Sequence, residues 1–137
     1  MKPESGFREH EHTADWELEA WALDLPGLLE QSARGMVELS GMKLKTGEVS
    51  QRSITLRGLD AESLLVQFLS ELLWFQQQEN LGFNWFSIEV DDRFVLKAEL
   101  RGASITSLDK EIKAVTYHNL QVVRTETGLN AVIVFDV

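Results

Sequence analysis

Residues Asp109–Val137 read DKEIKAVTYHNLQVVRTETGLNAVIVFDV, and the fold turns on how they are read. Glu111–His118 alternates: Ile112, Ala114, Thr116 and His118 fall on one face, Lys113, Val115 and Tyr117 on the other, the period of a strand. Asn119–Arg124 is a second β-rich run, Thr127 and Gly128 supply a turn, and Asn130–Val137 is a third run rich in Val, Ile and Phe. Chain ends usually fray, so an end this rich in strand formers is expected to be paired in a sheet. Asp136 then sets its carboxylate beside that of Val137, the last residue. Two adjacent anions at the end of a buried strand are costly unless solvated, protonated or held by a cation.

Composition narrows the function classes. With 137 residues and 44% hydrophobic content, the chain suits one domain, 1–137, with a single sizeable core. The formal net charge of −9 is scattered along the sequence, which argues against a protein that wraps nucleic acid by itself. It suits a basic partner surface or a bound cation. Absence of cysteine excludes disulfides, thiolate metal sites and cysteine nucleophiles. Neither a signal peptide nor an apolar run of membrane-spanning length is visible, so the expected location is cytoplasmic.

Upstream, Trp16–Leu23 alternates strictly and predicts a half-buried strand with Glu17, Glu19 and Trp21 on a solvated face. Asp15 stands at its mouth, as a ligand or as an Asx-turn. His10 and His12 would share a strand face but supply only an incomplete metal site. Asp24 and Pro26 open an amphipathic helix over Leu25–Met42, and Asp60 caps a stronger one running to about Glu79. Trp74 and Phe75, adjacent on that helix, cannot both face inward. Strands are expected at Val49–Gly58, Gly82–Asp91 and Arg93–Leu100, with the small-residue run Gly102–Leu108 as a turn or mobile loop. The sum is an α+β fold: a two-layer sandwich of a mainly antiparallel sheet with two helices on one face.

No nucleophile turn of the Ser-His-Asp type is present. The best chemistry on offer is a hard-cation site of oxygen ligands, Asp15 and Asp136 with the Val137 carboxylate, suited to Ca²⁺, with Mg²⁺ or Mn²⁺ as alternatives. The same carboxylates would also suit a small metal-dependent hydrolase, or a chaperone-like scaffold with a structural metal.

Four segments carry a resemblance: HTAD at 12–15, DAESLLVQFLSELLW at 60–74, EIKAVTYH at 111–118 and VIVFDV at 132–137. Together, and in this order, they resemble the archease family. The resemblance implies a non-enzymatic accessory factor for an RtcB-type RNA ligase in tRNA splicing and RNA repair. Such a factor promotes GTP-dependent guanylylation of a ligase histidine and multiple turnover. It implies calcium ligands at Asp15, Asp136 and Val137 and an activity-related lysine at Lys113. RNA is reached only through the ligase, with no membrane and no small-molecule substrate of its own. The implied fold is α+β, built of strand-helix-strand-strand modules. One departure stands out: where many members carry an acidic, His-bearing loop before the EIKA segment, this chain reads GASITSLDKE, without the histidine.

Overall fold

The computed structural model describes residues 3–10 and 16–137, so His12 and Asp15 lie outside the described residues. Its elements run β1 (Gly6–His10), β2 (Trp16–Ala22), α1 (Leu25–Leu39), β3 (Lys43–Leu44), β4 (Ser50–Arg57), α2 (Ala61–Glu79), β5 (Leu81–Val90), β6 (Val95–Ser107), β7 (Ala114–Val115), β8 (Val123–Thr125) and β9 (Gly128–Asp136). The fold is α+β, and every ladder among these strands is antiparallel. The strands divide between two sheets where a single one was expected. One has the order β1-β2-β9-β7 with β8 also on β9; in the other, β6 takes β3, β4 and β5 as partners. No helix among the described residues is long and apolar enough to cross a membrane.

Both helices start where their caps dictate. Asp24 accepts the Gly27 N–H, with Pro26 in the first turn. Asp60 accepts from the Ser63 N–H at 2.7 Å while the Ser63 hydroxyl receives the Asp60 N–H at 3.1 Å, a reciprocal capping box that makes Asp60 a cap. Helix α1 packs on β2 and β5 and so touches both sheets; α2 packs on β4, β5 and β7. Leu28, Leu29, Leu64, Phe68, Leu69, Leu96, Leu100, Ile133 and Phe135 are fully buried in the shared core. Burying each such side chain contributes roughly 1.5–3 kcal/mol. Phe75 is buried while Trp74 remains 48% exposed, as their adjacency requires.

Four expectations change. Helix α1 stops at Leu39 rather than Met42, because Ser40 caps it and Gly41 turns the chain at φ 64°. Gly102–Leu108 is strand rather than loop, since β6 runs on to Ser107. Its small residues have another cause: the Gly82 carbonyl of β5 occupies the place where a Gly102 β-carbon would sit, so only glycine lets the two backbones pass. On β2, Glu19 is buried at 7% exposure rather than solvated. Its carboxylate accepts from Arg8 Nε at 2.6 Å and Asn130 Nδ2 at 2.7 Å, and lies 3.1 Å from His10 Nε2. Finally, the strand expected at Glu111–His118 shrinks to Ala114–Val115, and the one at Asn119–Arg124 to Val123–Thr125. Ile112 is buried and Val115 half-buried, three residues apart, so the segment does not keep a strand's alternation.

Candidate metal-binding end of the sheet

Strand β9 is the centre of the first sheet, and its register decides what meets at its end. Trp16 is the partner of Phe135, and Ala114 is the partner of Asp136. The start of β2, the end of β9 and the segment before β7 therefore converge at one edge. Side chains alternate along a strand, so Asp136 projects to the face opposite Phe135, which is fully buried in the core. The Asp136 side chain is exposed, whereas Val137 is half-buried and packs on the core. Asp136 forms no ion pair with another described residue. Asp15 precedes Trp16 in the sequence and lies outside the described residues.

Residues 109–113 act as a strap across this end. The N–H groups of Asp109 and Lys110 both donate to the Ser40 carbonyl, at 2.8 and 3.1 Å, and so satisfy a carbonyl at the C-cap of α1. The Lys113 N–H donates to the Asp136 carbonyl at 2.8 Å, and Gln77 of the last turns of α2 reaches the Lys113 carbonyl at 3.5 Å. The strap thus joins two helix C-termini to the end of β9. Neither helix carries a basic residue in its last turn. Helix C-termini bear partial negative charge and favour nearby cations. Lys113 itself is exposed, with its backbone rather than its side chain tied to Asp136. Lys110 lays its ammonium 4.2 Å from the centre of the Trp16 ring.

The oxygen donors of the expected set, the carboxylates of Asp136 and Val137, are of the kind that suits a hard divalent cation. Among the described residues no group of three or more His, Asp or Glu is placed to hold a metal. Asp136 and Val137 are thus the described part of the expected set, and Asp15 is needed to complete it. His10 lies on the same outer face of the sheet as Asp136 but is engaged with glutamates, 3.6 Å from Glu17 Oε2 and 3.1 Å from Glu19 Oε1. A groove of about 460 Å³ between α1 and β5, floored by Phe7, Val37, Met42 and Phe86, reaches the strap at Asp109 but touches neither Asp136 nor Lys113. The Lys110–Trp16 pair and the Arg8–Glu19–Asn130 cluster carry no sequence signal, because their members are 94, 11 and 111 positions apart.

The model of the Archease protein family (MTH1598/TM1083) matches residues 7–137. A protein named Protein archease from Methanosarcina barkeri is 32% identical over 135 residues, spanning 93% of this chain and 92% of its own length. The archease of Methanosarcina acetivorans is 33% identical over 138 residues with the same coverage. Among solved structures, protein 1598 of Methanobacterium thermoautotrophicum superposes with a TM-score of 0.75 at 25% identity, over 96% of this chain and 99% of that one. An archease from Thermotoga maritima, described as a possible chaperone, superposes with a TM-score of 0.67 at 23% identity over 100% and 97%, a likeness of fold.

Proposed function

The chain belongs to the archease family, and on that premise we propose that it is an accessory factor that activates an RtcB-type RNA ligase. It promotes guanylylation of the ligase histidine by GTP and repeated turnover in tRNA splicing and RNA repair. The cation end built from Asp15, Asp136 and the Val137 carboxylate is the part that acts. The observation that carries this reading is the pairing of Trp16 with Phe135, which brings the first strand residue after Asp15 beside the residue before Asp136.

Calcium, or Mg²⁺ or Mn²⁺ in its place, would supply a compact double positive charge for oxygen ligands on the partner or its nucleotide. The chain's own residues do the rest. Asp136 offers, at an exposed edge, a carboxylate that forms no ion pair with another described residue. The backbone bond from Lys113 to Asp136 holds the strap against that edge, and leaves the Lys113 ammonium in solvent to meet an acidic group or a phosphate. A net charge of −9 disfavours direct RNA binding and favours a basic ligase surface, where complementary charge speeds encounter. RNA is then met only through the ligase, in the cytoplasm.

The test is single- and multiple-turnover ligation with GTP, using the host ligase and either wild-type protein or the Asp136→Ala variant. Asp136 is exposed, so the variant is expected to fold with an unchanged melting temperature in chelator and to lose stimulation of guanylylation about tenfold or more. A chain extended beyond Val137 should show the same loss to a smaller degree. Full stimulation by a folded Asp136→Ala variant would sink the reading.

A further inference from the structure

Two lysines, Lys110 and Lys113, lie on the strap that borders Asp136, yet neither forms an ion pair with a described carboxylate, and neither does Asp136 with a described cation. An exposed carboxylate with two ammonium groups a few residues away would ordinarily attract one. What occupies Lys110 is visible: its ammonium stands 4.2 Å from the ring centre of Trp16, within the range of a cation–π contact. Trp16 pairs with Phe135 on the adjacent strand, and Asp136 is the next residue along, so ring and carboxylate project to opposite faces of the sheet. The ring therefore holds the ammonium on the far side of the strand from the carboxylate.

We propose that Trp16 parks Lys110, keeping its ammonium off Asp136 so that the carboxylate stays open to a divalent cation. This rests on the cation-end reading above and assigns Trp16 as a positioning residue acting through Lys110. The physical reason is competition. A lysine ammonium is a tethered monovalent cation on a flexible four-carbon stem. Once released from the ring it swings over the sheet end, pairs with the carboxylate and must be displaced before metal binds. The aromatic face offers it an alternative site of comparable strength at a position where it does no harm.

Opposite signs make the idea testable by calorimetric titration of Ca²⁺ into wild type, Trp16→Leu, Lys110→Met and the double variant, with melting temperature recorded for each. Trp16→Leu frees the ammonium and is expected to weaken Ca²⁺ binding about fivefold, the scale of one charge brought to ~4 Å of another at an exposed site. Lys110→Met removes the competitor, and binding stays equal to wild type or tightens up to about twofold. The double variant returns to the Lys110→Met value although it has also lost the ring. If the double variant binds as weakly as Trp16→Leu, or if Trp16→Leu binds like wild type, Trp16 is only packing and the parking role is overturned. A wild-type protein that binds neither Ca²⁺, Mg²⁺ nor Mn²⁺ overturns the cation-end reading itself, and this inference with it. Melting temperatures separate the two causes: loss of packing lowers them in Trp16→Leu and the double variant alike, whereas the affinity follows the lysine.

Discussion

Gly41 shows how much of this end hangs on one residue. It ends α1 with φ at 64°, and the Asp109 carboxylate occupies the place a β-carbon would take. Two costs add there: a left-handed conformation disfavours an L side chain by ~1–2 kcal/mol, and Asp109 must move. Asp109 cannot move freely, because its N–H is bonded to the Ser40 carbonyl that closes the helix. Gly41→Ala is therefore expected to lower unfolding stability by about 2 kcal/mol or more in urea, toward the large end of single-residue effects. Asparagine tolerates positive φ, so Gly41→Asn separates the causes. Both variants should lose similar stability if the Asp109 contact dominates. An Asn variant close to wild type would leave only the backbone angle.

At the level of elements, the β5–β6 hairpin is fastened by a charge. Asp91 Oδ1 accepts from the backbone N–H groups of Arg93 at 2.8 Å and Val95 at 3.0 Å, while Phe94 takes a φ of 59° inside the turn. The Val95 and then the Arg93 N–H hold the Asp91 carboxyl below its ordinary range. A carboxylate with a lowered folded pKa contributes stability that is present above its unfolded pKa and is lost as pH falls through the folded value. The stability gap between wild type and Asp91→Ala should thus be full at neutral pH and narrow in denaturation curves taken below pH ~4. A gap that holds constant into strong acid would assign the effect to packing. Sequence reading caught elements of this kind because their signals are local: Asp24 and Asp60 ahead of 3.6-periodic runs, and Asp91-Asp92 between two alternating ones. It missed what distant backbone imposes. GASITS looks like a loop until Gly82 is known to press on Gly102, and residues 111–118 look like a strand until the segment leading into them is seen bonded to α1 through the Asp109 and Lys110 N–H groups and to α2 through the Lys113 carbonyl. The same division runs through the site. Asp136 was legible as a carboxylate at a strand end, but that Trp16 lies beside Phe135, with Lys110 over it, is a matter of register between segments about a hundred residues apart.

For the whole molecule, the strap makes the proposed cation end part of the cooperative unit. It is bonded to the C-cap of α1, to α2 through Gln77 and to β9 through Asp136, and these elements share one core. The β2/β9 edge cannot open without disturbing that unit, so a cation bound there is expected to stabilise the global fold. A ligand that binds only the folded state at a hundred times its Kd adds about 2.7 kcal/mol. For a chain of this length that corresponds to a rise in melting temperature of roughly 10 °C. Calorimetric scans with and without saturating Ca²⁺ should show that shift, with chelator reversing it. The charge balance acts in the same direction, since a divalent cation offsets part of a net charge of −9 whose self-repulsion opposes the compact state. The Asp136→Ala variant discriminates between a specific ion and this general effect: it should melt like wild type in chelator and gain little from Ca²⁺. If it gains as much as wild type, the ion binds elsewhere on the acidic surface, and the β2/β9 edge is not the place where it acts.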